Sequence, residues 1–226
     1  MTSPALLAVA HGSRDPAAAD VVRALAGQVR RLAPVLDVRV AFLGHAEPSL
    51  PTELTAAGSN TVIVPLLLSS GYHLSTDISG VADVAGARVA APLGPDELLL
   101  TALTARLAEA GVPDGTPIVL AAAGSADPLA AADVRQQADL LADQLGVPVV
   151  AAFASTAAPS VQDAVAELRE RTGRPVAVAS YLLAPGQFQD QLAECGADWL
   201  TEPLGGHPAV AGLVIDRYRK AMLANH

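Results

Sequence analysis

The sequence is poor in cysteine, aromatic residues and lysine, and each shortage excludes a class of function. Cys195 is the single cysteine, so an internal disulfide and a zinc site built from several thiolates are both excluded. Aromatic residues make up 3% of the chain, which leaves few rings on which single-stranded nucleic acid could stack. Lys220 is the one lysine and the net charge is −9, so nucleic acid is not predicted as a partner.

Long apolar runs are also missing. No uninterrupted run reaches the roughly 18–20 residues that cross a bilayer, and residues 1–4 carry no basic segment typical of a signal peptide. We therefore expect no membrane partner and a cytoplasmic location, which a single cysteine also favours. Hydrophobic residues make up 51% of the 226 residues and charged residues 16%, enough for a buried core in one large domain or two smaller ones.

The sequence repeats itself once. Residues 6–16 read LLAVAHGSRDP and residues 118–128 read IVLAAAGSADP. Phe42 followed by Pro-Ser at 48–49 recurs as Phe153 followed by Pro-Ser at 159–160, and Pro-Leu-Gly at 92–94 recurs at 203–205. Matches in the same order at nearly one offset indicate a tandem pair. The turn-rich stretch 112–117 predicts a boundary between domains 1–113 and 114–226.

Within each half, short apolar runs alternate with helical patterns. The predicted strands are continuous runs, as expected for strands buried on both faces. Strands that alternate with helices predict a parallel sheet, so the fold expected is α/β, with two tandem flavodoxin-like doubly wound domains. The predicted strands are 6–10, 38–43, 61–68, 88–91, 118–122, 147–153 and 176–183, and the helical stripes include Val21, Val22, Leu25, Val29 and Leu32, then Leu99, Leu103 and Leu107, then Val134, Ala138, Leu141 and Leu145.

Two histidines follow the predicted strands one and three of the first half. In open α/β sheets, ligands bind beyond the carboxyl ends of the strands. If the strand order is 2-1-3-4, strands one and three are neighbours about 4.8 Å apart, and His11 and His73 face each other at their tips. In the second half, Ala123 and Phe188 take these positions while the Gly-Ser, Asp-Pro and Pro-Leu-Gly framework is kept. The joint loss favours a shared function of the two histidines over two unrelated loop residues.

Paired imidazoles indicate divalent-metal chemistry. Imidazole suits Fe²⁺, Co²⁺, Ni²⁺ and Zn²⁺, and two protein ligands leave coordination positions open. A loosely held ion can be handed to a macrocycle, and imidazole can also accept protons. A non-catalytic metal carrier or sensor that uses the same histidines is the alternative. A hydrolase that pairs Ser13 with His11 or His73 is less favoured, because the sequence has no G-x-S-x-G turn and no clear acid.

Four motifs carry a family resemblance. HGSRDP after the first strand, FLGHAEPSLP after the second, VPLLLSSGYHLSTDI after the third and APLGPDELL after the fourth resemble the class II chelatases, closest to the sirohydrochlorin chelatase family of SirB and CbiX type in its long two-domain form. The resemblance implies two facing domains with a cleft between them. It implies a metal-inserting lyase that places Fe²⁺ or Co²⁺ in sirohydrochlorin, without ATP or an organic cofactor, for siroheme or cobalamin synthesis. The family's metal-binding histidines correspond to His11 and His73.

The sequence departs from the family at one position. Many relatives carry a glutamate, implicated in metal handling, where this chain has Gly44. His45 and Glu47 follow at once, and either could replace it; a solvated loop histidine and a carboxylate at a helix start are the alternatives. Asp77 could orient a histidine or cap a short helix.

The carboxylates of a tetrapyrrole substrate need hydrogen-bond donors on the protein. Arg14 has a forked set of donors, and backbone N–H groups near Ser13 lie at a predicted helix start. Gln187 is the candidate in the second half, while Arg88 is a weaker candidate and His207 resembles a helix-start residue. Two complete halves could form the cleft without a partner subunit, so a monomer is compatible with this interpretation.

Overall fold

The computed structural model describes residues 3–70 and 72–224, and for residues 72–77 it describes the backbone alone. Eight strands lie within this part of the chain and form two parallel sheets of four strands each. The first four are β1 (Ala5–Ala10), β2 (Val38–Phe42), β3 (Thr61–Pro65) and β4 (Arg88–Val89), and the second four are β5 (Ile118–Ala122), β6 (Val149–Phe153), β7 (Ala177–Ser180) and β8 (Trp199–Leu200).

Both sheets have the predicted strand order. The first is β2-β1-β3-β4 and the second is β6-β5-β7-β8. Every residue of β1, β3 and β5 is buried, which explains why these strands read as continuous apolar runs rather than alternating ones. The expected α/β fold with two tandem parallel sheets is confirmed.

Two of the helices begin at an aspartate cap that the sequence repeats. Asp15 and Asp127 each accept a backbone hydrogen bond at 2.9 Å in the first turn of a helix whose first residue is proline. Two predicted stripe residues, Leu32 and Leu145, are exposed at helix ends. The helices are α1 (Pro16–Leu32), α2 (Leu50–Ala57), α3 (Tyr72–Ala85), α4 (Leu98–Glu109), α5 (Pro128–Leu145), α6 (Val161–Thr172), α7 (Gln187–Leu192) and α8 (Pro208–Leu223).

The compact units of the fold differ from the sequence repeats. One unit comprises residues 1–93 and 206–226, and the other comprises residues 94–205. Helix α8 packs against α1 and β3 in the first unit, and α4 packs against α5 and β7 in the second. The predicted domains 1–113 and 114–226 therefore follow the repeat, whereas each compact unit contains the fourth helix of the other repeat. Because α4 and α8 carry the same apolar pattern, the sequence does not indicate which sheet each covers.

Equivalent arginines secure the two exchanged helices. Arg217 of α8 donates to the carbonyl oxygens of Pro92 and Leu93, at 2.7 and 2.8 Å. Arg106 of α4, 111 positions earlier in the sequence, donates to the carbonyl of Leu204 at 3.1 Å. Leu204 is likewise 111 positions after Leu93. The same contact thus fastens an exchanged helix within each unit.

Candidate functional site

His11 lies at the carboxyl end of one of the two inner strands of its sheet. It follows Ala10, the last residue of β1, which pairs with β2 on one side and β3 on the other. Its side chain is exposed, and no hydrogen bond engages its imidazole within the part of the chain that the structure describes. The ring nitrogens of His11 are therefore available to a ligand.

Gly12 brings the backbone after β1 into close contact with the loop after β2. Its φ is +91°, and a Cβ built there would lie 1.7 Å from the carbonyl oxygen of Gly44. Gly44 in turn donates its N–H to the carbonyl of His11 at 3.0 Å. Because only glycine fits this approach, the two loops are fixed against each other at the strand tips.

Ser13 has a local structural role. Its hydroxyl oxygen accepts the N–H of Asp15 at 3.1 Å, immediately before α1. In the second repeat, Ser125 accepts the N–H of Asp127 at the same distance. The Gly-Ser-x-Asp-Pro sequence therefore builds the same strand-to-helix turn in both units. Ser13 and Arg14 lie at that turn, beside His11, and Arg14 is exposed.

The side chains of His73 and Asp77 lie outside the described residues. The backbone places His73 at the second residue of α3, which follows β3. Because α3 begins at Tyr72, His73 belongs to a helix and not to a loop. Asp77 is the sixth residue of α3, so it does not cap the start of that helix. Strands β1 and β3 are hydrogen-bonded neighbours, as predicted.

The loop between β2 and α2 carries both candidate replacements for the missing glutamate. Glu47 is exposed, and its carboxylate accepts the N–H of Ser49 at 2.9 Å, at the start of α2. His45 is also exposed and has a φ of +62°, in the left-handed region. No hydrogen bond of the His45 imidazole is found among the described residues. The carboxylate is thus engaged at a helix start, whereas the imidazole has no such partner in the part of the chain that the structure describes.

Arg23, which was not among the residues predicted from the sequence, contributes to this region. Its guanidinium lies 5.8 Å from the centroid of the Phe42 ring and donates to the carbonyl of Glu47 at 3.2 Å. Arg135 in the second repeat lies 5.9 Å from the Phe153 ring. The offset of 112 between the two arginines, equal to that of the Gly-Ser motifs, was the signal available in the sequence.

Candidates elsewhere in the chain have separate positions. Gln187 is the first residue of α7 and is exposed, as is Phe188 beside it. Arg88 begins β4 and lines a polar cavity of about 550 Å³ at the amino-terminal edge of its sheet, opposite to the edge that carries His11. Arg88 is therefore not placed to bind a ligand near His11. The ring of His207 accepts the N–H of Ala209 and caps α8, as the sequence indicated.

Three further features concern the cysteine, clusters of metal-binding side chains and long apolar helices. Cys195 is buried within the apolar core cluster that includes residues of β5 and β7. Among the residues with described side chains, no group of three His, Cys, Asp or Glu residues gathers to hold a metal ion. In the same residues, no helix combines the length and the apolar character needed to cross a membrane.

Comparison with known proteins identifies the family. The CbiX family profile matches residues 5–110 and, a second time, residues 117–221. The chain is 27% identical over 237 residues to the sirohydrochlorin ferrochelatase of Bacillus subtilis (strain 168), a match that covers 96% of this chain and 91% of that protein.

Two solved structures share the fold over nearly their whole length. SirB from Bacillus subtilis with Fe³⁺ has a TM-score of 0.82 and 27% identity, covering 97% of this chain and 95% of that one. The sirohydrochlorin chelatase SirB from Bacillus subtilis subspecies spizizenii in complex with cobalt has a TM-score of 0.78 and 25% identity, covering 96% and 94%. The predicted resemblance is confirmed, and with both of its repeats matched the chain belongs to the CbiX family.

Proposed function

We propose that this protein is a sirohydrochlorin chelatase that inserts Fe²⁺ or Co²⁺ into its tetrapyrrole, with His11 and His73 as the residues that bind the metal. The observation that carries the proposal is the exposed, unengaged imidazole of His11 at the tip of β1, beside the strand that leads to His73. The matches to a ferrochelatase and to SirB structures with Fe³⁺ or cobalt support the activity and the choice of metals.

The reaction suits a site with few protein ligands. Two imidazoles leave coordination positions of the ion open, so the nitrogens of the macrocycle can displace water and then the protein. The free tetrapyrrole loses two pyrrole protons as the divalent ion enters, so the product is the metal complex plus two protons. Neither ATP nor an organic cofactor enters this balance. Because imidazole binds Fe²⁺ and Co²⁺ alike, cellular supply would decide between siroheme and cobalamin synthesis.

Substrate carboxylates need positively polarised partners near His11. We propose that Arg14 and the backbone N–H groups at the start of α1, near Ser13, hold carboxylates on the side of the metal. Gln187 at the start of α7 would bind the ring from the second repeat, which has no histidine pair. These local donors act against the net charge of −9. We further propose that one chain acts as a monomer in the cytoplasm.

A metal carrier that uses the same histidines is less favoured, because the relatives that match nearly the whole chain are chelatases. An anaerobic assay with sirohydrochlorin and either Fe²⁺ or Co²⁺ separates the two functions. A chelatase changes the absorbance spectrum of the tetrapyrrole when metal is added, whereas a carrier binds the ion and leaves that spectrum unchanged.

His11→Ala tests the site. The rate of insertion should fall about a hundredfold or more, since even the groups that orient a metal ligand typically change affinity 10–100-fold when lost. His207→Asn is the matched control, because asparagine also caps helices and α8 should be preserved. Near-normal insertion by His11→Ala, with the control equally active, would contradict the assignment of His11.

A further inference from the structure

His45 lies one residue beyond a backbone contact with His11. The hydrogen bonds between β1 and β2 continue past the strands, from Leu43 N to Ala10 O and from Gly44 N to His11 O, both at 3.0 Å. His45 is the next residue of the chain. The loop therefore places a second histidine one residue beyond a direct contact with the His11 backbone.

The same unusual backbone conformation occurs at this position in both repeats. His45 has a φ of +62°, and Thr156, 111 positions later, has a φ of +60°. A residue with a Cβ rarely adopts this conformation unless the surrounding structure imposes it. Since both repeats impose it, the shape of the loop does not depend on an imidazole. The fold therefore does not require histidine at position 45, so the histidine can have a functional role.

In the second repeat, the side chain that corresponds to His45 takes part in local hydrogen bonds. Thr156 Oγ1 lies 3.3 Å from Ser155 Oγ, which donates to the carbonyl of Ala123 at 2.9 Å. In the first repeat Gly44 replaces Ser155, and a Cβ added at Gly44 would meet nothing within 4 Å. The first repeat thus has open space where the second has a hydroxyl, and an exposed imidazole with no hydrogen bond among the described residues.

The ends of the loop are anchored, so the exposed imidazole is held on a fixed backbone. Arg23 packs on Phe42 at one end and donates to the carbonyl of Glu47 at the other. The Glu47 carboxylate accepts the N–H of Ser49. These contacts leave the imidazole as the group of this loop that remains available to a ligand.

We propose that His45 is a third metal-binding residue of the site, acting with His11 on the ion before it is inserted; this rests on the proposed function. A ring nitrogen of neutral His45 donates its lone pair to the metal and displaces one bound water, with no change of oxidation state. A neutral nitrogen ligand adds affinity without adding negative charge, so the ion stays transferable to the macrocycle.

His45→Gly is the informative variant, because glycine adopts a positive φ without steric cost and the loop should keep its shape. Thr156→Gly makes the same change in the second repeat and is the matched control. Anaerobic titration with Co²⁺ should show affinity about 10–100-fold weaker for His45→Gly, with an altered visible spectrum of the bound Co²⁺. Thr156→Gly should bind Co²⁺ as the unmodified protein does. His45→Glu, which supplies a carboxylate oxygen in place of the imidazole nitrogen, should recover much of the Co²⁺ affinity that His45→Gly loses.

His11→Ala, titrated in parallel, separates the two proposals. If His45→Gly binds Co²⁺ with unchanged affinity and spectrum while His11→Ala loses binding, the role of His45 is overturned and the proposed site stands. If His11→Ala also keeps full affinity, the proposed site itself fails. Far-ultraviolet circular dichroism of each variant shows whether a loss of binding reflects a loss of fold.

Discussion

The two repeats share one backbone design at the strand tips but differ in the side chains presented there. Gly12 and Gly124 make the same close approach, and Asp15 and Asp127 form the same helix caps. Yet the first repeat has His11 where the second has Ala123. The turn is therefore a structural unit that keeps its shape whichever side chains it presents. Residues kept in both repeats explain the fold, and residues found in the first repeat alone are the candidates for chemistry.

The glycine pair gives the largest expected effects. Gly12→Ala would force a Cβ against the Gly44 carbonyl, and Gly124→Ala would place one 1.9 Å from the carbonyl of Ser155. Each should lower the free energy of unfolding by about 4 kcal/mol or more, measured by urea denaturation, because the clash with a backbone oxygen adds to the strain of a positive φ. Only Gly12→Ala should also reduce metal insertion, by about tenfold or more, because it displaces the loops that carry His11 and His45. Equal losses of insertion in the two variants would show that the repeats are not functionally distinct.

The arginine pair comes next and concerns stability alone. Arg217 is 9% exposed and donates to two carbonyls, so Arg217→Ala should cost about 3 kcal/mol, given about 1.5–3 kcal/mol for a hydrogen bond to a charged group. Arg106 makes one such bond, and its buried Nε has no partner among the described residues. Arg106→Ala should lower the free energy of unfolding by about 1.5 kcal/mol, since the ion pair of Arg106 with the exposed Glu109 adds little. Chemical denaturation measures both values, and a larger cost for Arg106→Ala would reverse the proposed order.

The aspartate caps should give the smallest and most nearly equal effects. Asp15→Ala and Asp127→Ala each remove one capping hydrogen bond of 2.9 Å from an exposed helix start. Loss of such a cap typically costs about 1 kcal/mol. The two shifts in the urea midpoint should agree closely. A clear difference between them would mean that one cap also supports something outside its own helix.

The sequence predicted the sheets because their signals are local or follow from topology. The apolar runs of β1 and β3 are strong, and right-handed crossovers with the 2-1-3-4 order make these strands neighbours. The place of His11 at a strand tip follows from the same reasoning. Glycine followed by Ser-x-Asp-Pro likewise specified the turn into α1.

Other features depend on contacts that the sequence does not encode locally. The exchange of α4 and α8 could not be predicted, since the leucines and valines of either helix suit either sheet. The role of Arg23 required knowledge that α1 passes beside Phe42. The left-handed backbone of His45 was hidden because Thr156, its counterpart in the second repeat, is β-branched and rarely adopts that conformation.

The exchanged fourth helices also set an order for folding on the ribosome. Residues 94–205 form a continuous unit, so the nascent chain can complete it as soon as those residues have emerged. Residues 1–93 are synthesised first, but the face formed by α1 and β3 stays uncovered until α8 has been translated. The half that carries His11 is therefore the last to mature, although it is the first to be made.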